Sequence, residues 1–161
     1  MKYKLTKNKK TIGEITLYQI EALKDFLNIK KGDLGGWIEK ESNLSHRGDC
    51  WVSGSAMVCD NAQVSSNAMV SGNAIVSGNA RVSGNAIVSG NARVSGNARV
   101  FGNARVSDNA WVFGNTRVSG NAWVSGSAQV SGCAWVSGNA RVFGNARVSG
   151  NAWVFGNAII N

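Results

Sequence analysis

Arg99 to Asn115 reads RVFGNARVSDNAWVFGN, and nearly the same string, RVFGNARVSGNAWVFGN, returns from Arg141 to Asn157 with Gly150 in place of Asp108. Both are cut from one six-residue frame: small, variable, Val, Ser or Phe, Gly, Asn. The frame runs from Cys50 to Ile160. Its small slot is Ala except at Cys50 and Thr116, and its third slot is Val until Ile160 closes the series. Within a hexad, Ala-x-Val-Ser alternates with period two, so a strand sends Ala and Val to one side and the variable residue and Ser to the other. Gly-Asn then turns the chain, because both residues tolerate the left-handed conformation. A strand of about four residues and a sharp corner, three times over, closes an 18-residue triangular coil. Val and Ala fill its narrow interior, and Asn side chains can stack as corner ladders.

Val76-Ser77-Gly78-Asn79-Ala80-Arg81 resembles the motif of the hexapeptide-repeat proteins, with Ser in a place where that family often has Gly. The resemblance spans about 110 residues. It implies an all-β fold, the triangular left-handed parallel β-helix; the handedness comes from the family alone. Nineteen hexads predict slightly more than six coils, a prism roughly 30 Å tall at the usual strand spacing.

Residues 1–42 predict a separate capping module, and residues 43–161 the β-helix of about six coils. KYKLT, the polar KNKK and TIGEITLYQI have the look of a hairpin. Ile20, Leu23, Phe26 and Leu27 allow a short helix or a strand, and KKGDLGG is a turn cluster rather than a phosphate cradle. The stretch ALKDF...KKGDLGGWIEKESNLSHRGDCWV is similar to the N-terminal module of bacterial and phage hexapeptide-repeat proteins loosely described as acyltransferases. A solenoid end exposes a strand edge and a slice of core, so this module is expected to cover one end. At the other end the frame reaches Ile159 and Ile160 uncovered, which predicts self-association there.

Seventeen basic residues against nine acidic give +8. All the Lys fall within residues 1–40, whereas the repeats carry Arg alone, with Asp60 and Asp108 as their only acids. That bias favours an anionic partner: nucleic acid, a phosphorylated ligand or an acidic protein face. MKYKLTKNKK has no apolar signal core and no run of apolar residues is long enough to span a membrane. Cys50, Cys59 and Cys133 read as reduced thiols, so a cytoplasmic protein is expected.

Related hexapeptide-repeat enzymes transfer acyl groups, or hydrate carbon dioxide at a zinc held by three His. His46 is the only His here, so the zinc chemistry lacks its ligands and no cofactor is expected. For acyl transfer His46 would have to be the general base. It falls six residues before Val52, in register with the inward column, and no loop interrupts the frame to build a pocket. A structural His closing the first coil is the simpler reading, so the chain is not expected to be an enzyme.

Variable residues eighteen apart share a face. Face one carries Trp51, Met69, Ile87, Arg105, Trp123, Arg141 and Ile159; face two Met57, Ile75, Arg93, Trp111, Gln129 and Arg147; face three Gln63, Arg81, Arg99, Arg117, Trp135 and Trp153. Met57, Met69, Ile75 and Ile87 make the first coils apolar outside, a patch for the capping module or a second subunit. Arg81, Arg99 and Arg117, followed by Trp135 and Trp153, form a basic stripe able to hold phosphates and stack rings. The competing reading is that Arg and Trp merely stack on one another along Arg105–Trp123–Arg141, Arg93–Trp111 and Arg117–Trp135. The expectation is a non-catalytic oligomeric scaffold that binds a host protein or an anionic ligand. The resemblance suggests a phage or prophage setting and inhibition of a host defence. Acyl transfer through His46 and nucleic-acid binding along the Arg column are the alternatives.

Overall fold

The computed structural model describes residues 1–161, and its repeats wind as a three-sided parallel β-solenoid. Each hexad contributes a two-residue strand, the variable residue and its Val, shorter than the four residues the alternation suggests. The bonding explains this. Arg81 N–H donates to Ala98 O at 2.9 Å and Ser83 N–H to Val100 O at 2.9 Å, and then the corner takes over, with Asn85 N–H on Gly102 O at 2.7 Å. Coil-to-coil bonds thus continue through the turn, and few backbone groups are left for water.

The corner itself is a tight turn in which Ala86 N–H returns to Ser83 O at 3.4 Å. Only the Gly slot uses positive φ, +68° at Gly84 for example, and the Asn slot does not. The Asn side chains instead form the ladders: Asn85 to Asn103 at 3.1 Å, Asn103 to Asn121 at 3.1 Å and Asn121 to Asn139 at 3.0 Å. Coils stack so closely at these corners that a Cβ on Gly84 would meet Gly102 N at 2.9 Å. Asp60 and Asp108 occupy Gly slots at φ 58° and 59°. Each accepts the N–H of the Gly one coil later, Gly78 at 2.8 Å and Gly126 at 3.1 Å.

Inside the prism, Val and Ala from all three faces are buried, with Thr116 replacing one Ala. Each buried Val contributes about 1.5–3 kcal/mol against the ordering of its hexad.

The module that leads in differs from the sequence reading in instructive ways. β1 (Tyr3–Ile12) and β2 (Ile15–Ala22) pair antiparallel around Gly13, which takes φ +60°. The turn is there and not at KNKK, which lies within β1 beside an irregularity between Leu5 and Lys9. The residue 20–27 region forms no helix: β2 ends at Ala22, and Phe26 and Ile29 close a small bridge with Leu27 at φ 48°. β3 (Leu34–Ile38) pairs antiparallel with β2 and parallel with the Met57–Val58 strand, so the hairpin extends the face-two sheet and covers its edge.

That pairing moves the start of the solenoid before residue 43. Trp37 pairs with Met57, Ile38 with Val58 and Leu44 with Val64, each twenty residues apart where later rungs are eighteen apart. Two extra residues between Leu44 and Val52 hide the first hexads from a strict six-residue frame. Faces one and two then hold seven rungs apiece, and the Leu44 bridge adds a seventh to face three, so there are seven coils rather than six. The inward place assigned to His46 belongs to Leu44, which is buried while His46 is only half-buried. Gly35 and Gly36 serve packing: a Cβ on Gly35 would lie 2.6 Å from Ile20 and Trp51 side-chain atoms, and one on Gly36 2.7 Å from Val52. Trp51 faces outward by register, yet the module buries it against Phe26, ring centroids 5.3 Å apart, and Tyr3 at 6.4 Å. No helix is long and apolar enough to cross a membrane.

Candidate functional site

Register alone assembles the site on face three. Arg81 pairs with Arg99, Arg99 with Arg117, Arg117 with Trp135, and Trp135 with Trp153. The five residues predicted to bind therefore stand in one column, a rung apart, about 4.8 Å each. The three Arg side chains are exposed. Arg117 lies over the Trp135 ring at 5.7 Å, and Trp153 meets Trp135 edge-on at 5.7 Å and 69°. Beyond them Trp135, Ser137, Trp153 and Phe155 line an open cleft of about 300 Å³. Trp153 and Phe155 are 67% and 65% exposed, unusual for rings of that size.

The column is also without counter-charge. The two ion pairs of the molecule, Lys4 with Glu21 and Lys30 with Asp25, both lie in the N-terminal module. Asp60 and Asp108, the only acids of the repeats, bond to Gly78 and Gly126 N–H at the corners. Each solenoid Arg thus keeps its charge uncompensated.

Stacking between Arg and Trp occurs at two of the places foreseen. Arg117 covers Trp135, and Arg141 covers Trp123 at 5.9 Å. Arg93 and Trp111 are paired in register without such a contact, and Trp111 turns to Phe113 instead, at 4.8 Å. The sequence reading missed the serines. Trp123 donates its indole N–H to Ser107 Oγ at 3.0 Å, and Trp135 donates to Ser119 Oγ at 3.1 Å, both sixteen residues earlier. Trp111 and Trp153 also follow an outer-slot Ser by sixteen but make no such bond, so the readable signal is a Trp sixteen residues after one Ser and two before another.

His46 belongs to a different structure. Its Nδ1 accepts the backbone N–H of Lys2 at 3.2 Å, and its ring stacks on Tyr3 at 4.3 Å. Neutral imidazole carries one proton, so with Nδ1 accepting, Nε2 is the protonated nitrogen. Nε2 is buried without a partner. Burial holds the His46 pKa below its ordinary value, with the charges of the N-terminus and Lys2 adding to this and Glu41 opposing. A neutral ring with its lone pair engaged by the backbone is poorly set to accept a proton from a substrate. Lys2 itself is buried, its ammonium donating to Cys50 O at 2.6 Å, Gly48 O at 3.2 Å and Cys50 Sγ at 3.2 Å. These contacts pin the chain start to the first coil.

The residues expected at an interface are scattered. Met57 and Ile75 line an apolar groove with Ile12, Ile15, Leu17 and Cys59, so the hairpin partly shields them. Burial pushes the Cys59 thiol up to about 11, with Asp60 next in effect. Met69 is half-buried against the core, Ile87 is half-buried, and Ile159 and Ile160 lie on and inside the last rung of face one.

A family described as the YdcK beta solenoid repeat matches nine segments: residues 62–78, 76–90, 80–96, 88–100, 92–107, 98–114, 117–132, 140–156 and 146–161. Together they cover more than half of the chain. The chain belongs to the YdcK beta-solenoid repeat family. It is also similar to a protein of Escherichia coli (strain K12) named "Uncharacterized acetyltransferase YdcK", 33% identical over 61 residues. That similarity covers 34% of this chain and 19% of the relative. The family matches begin at residue 62, so the Lys2–Tyr3–His46 cluster lies outside them, whereas every member of the Arg and Trp column lies inside one except Trp135.

Proposed function

We propose that this YdcK-type solenoid is a non-catalytic binding scaffold, and that face three holds an extended polyanion along Arg81, Arg99 and Arg117. The observation that carries the reading is the column of three exposed Arg side chains on successive rungs with no carboxylate to neutralise it. Like charges directly opposite on neighbouring strands destabilise a sheet. If shielding the sheet were the only role, alternating Arg with Trp would serve better, and faces one and two do break up their Arg with Trp or Gln. Face three alone sets three in a row. A rigid ladder fixes their spacing before any ligand arrives, which lowers the ordering cost of binding.

Inorganic polyphosphate titrated at increasing salt tests this directly. Three contacts to a single-stranded polyanion predict a log K against log salt slope of about −2, and Arg99→Gln should make it shallower by about 0.7. A flat slope, or one that Arg99→Gln leaves unchanged, refutes the reading.

The name of the E. coli relative raises acyl transfer as the competing function. The tautomer of His46 counts against it, because the only imidazole presents an N–H rather than a lone pair at its free nitrogen. Acetyl transfer from acetyl-coenzyme A to an amine, abolished by His46→Ala with the fold intact, would replace the scaffold reading.

A further inference from the structure

The cleft at the end of the Arg column has a twin. Its residues Trp135, Ser137, Trp153 and Phe155 stand twelve positions after Trp123, Ser125, Arg141 and Phe143, which line a second cleft of about 250 Å³ on face one. Twelve residues are two hexads, so the same device is built on two faces of the prism.

The construction can be followed residue by residue. Trp123 and Trp135 each bond back to a Ser of the preceding coil, Ser107 and Ser119. That bond leans the indole off its own rung and leaves the Ser of that rung, Ser125 or Ser137, as the floor of a slot. The Phe one coil later, Phe143 or Phe155, makes the far wall. Phe101 and Phe113 also follow a Ser one coil earlier, but the neighbouring variable residues are Arg81 and Arg93, and neither Phe lines a cleft. Trp before Phe makes a slot; Arg before Phe does not.

We propose that these slots take the bases of a single-stranded nucleic acid whose phosphates lie on the Arg column. The proposal rests on the polyanion reading and names its ligand class. Indole and phenyl walls suit a flat ring with apolar faces, and each lining adds only one Ser hydroxyl and its indole N–H groups, those of Trp123 and Trp135 being already engaged by Ser107 and Ser119. A sugar ring would carry several hydroxyls into a place with almost no partners for them, at a desolvation cost. A base buries its faces and keeps its polar edge in water. The charges continue the argument. Arg117 lies over the Trp135 ring and pairs with no carboxylate, so its N–H groups are free for a phosphate. Arg141, over Trp123, does the same within the wall of the face-one slot. Three Arg, then Trp, then a slot is the order in which a strand would present its backbone and a splayed base. Stacking of this kind tolerates any base, so little sequence preference is expected. A duplex keeps its bases inside and cannot use the slots.

The test compares octathymidylate with an abasic oligomer of the same length on the full chain at one salt concentration. The base-bearing strand should bind about tenfold or more tightly and quench Trp fluorescence. Trp135→Ala and, from the opposite wall, Phe155→Ala should each cut that advantage severalfold, with Phe155→Ala, which does not touch Arg117, leaving the abasic affinity unchanged. Arg99→Gln should weaken both ligands. Equal, salt-sensitive affinity for the two strands overturns the base slots and leaves the polyanion reading standing. Failure of both strands and of polyphosphate to bind overturns both. Quenching by a proline-rich or aromatic peptide with none by octathymidylate overturns the ligand class.

Discussion

Cys133 interrupts an otherwise regular corner, and repairing it should stabilise the protein. Along that corner Asn61, Asn79, Asn97 and Asn115 pass hydrogen bonds from coil to coil at 3.4, 3.0 and 2.8 Å. The next step, Asn115 to Cys133 Sγ, is 4.0 Å, at the limit for a sulfur acceptor and weak. On the neighbouring corner the same step, Asn121 to Asn139, is 3.0 Å and the ladder continues to Asn157 at 3.0 Å. Cys133→Asn therefore restores a bond from Asn115 and offers a second to Asn151. The site is exposed, so each bond belongs at the low end of the usual net value, roughly 0.5 kcal/mol, and the pair gives about 1 kcal/mol. In a chain of this size that is a rise in Tm of about 2–4 °C. Thermal unfolding followed by circular dichroism under reducing conditions reads it. The partner variant Asn121→Ala, which removes two bonds from the unbroken ladder, should lower Tm by a similar amount. If Cys133→Asn leaves Tm unchanged while Asn121→Ala lowers it, the corner at Cys133 is not a defect and the ladder accounting fails.

Gly102→Ala and Gly13→Ala both place a side chain at positive φ, yet only the first meets backbone, Gly120 N at 3.0 Å. Gly102→Ala should therefore cost at least 1 kcal/mol more than Gly13→Ala in urea unfolding. Ser66 sits in a Gly slot at φ 60°, so Ser66→Gly should raise stability by about 0.5–1 kcal/mol, read as a higher urea midpoint. The folded-state pKa of His46 lies below the ordinary histidine value of 6.5, so the unfolded chain binds its proton first as pH falls. Stability should be full above about pH 6.5 and decline below it until the folded His also protonates, and His46→Gln should remove that part of the decline in urea midpoints between pH 8 and 5. Lys2→Met leaves the buried Cys50 carbonyl and the part-buried Gly48 carbonyl short of a donor, so the cap should loosen by about 2 kcal/mol and trypsin should cut within residues 1–49 before the repeats.

The repeats were legible because one six-residue frame fixes everything a rung needs: which side chain enters, where the turn falls, and which residues stack eighteen positions apart. The face assignments follow from counting, and the observed ladders agree, Arg81 on Arg99 and Trp135 on Trp153 among them. What failed was whatever departs from that count. The two residues added between Leu44 and Val52 displace His46 from the core, and no periodicity can reveal an insertion in the only coil where it occurs. The hairpin turn was misplaced because a polar run, KNKK, looks like a loop although a sheet edge carries Lys readily, while the residue that makes the turn, Gly13, is a single letter. The slots were hidden for a further reason. Period eighteen predicts which rungs touch but not which way an indole leans, and that lean depends on a hydrogen bond to a Ser sixteen residues back. Trp135 and Trp123 are distinguished from Trp111 by such a bond alone, because Phe113 beside Trp111 draws the ring sideways where Ser125 and Ser137 beside the others cannot. At Trp111, Trp123 and Trp135 the Phe or Ser two residues later thus decides whether the indole turns to its neighbour or bonds back to the preceding coil.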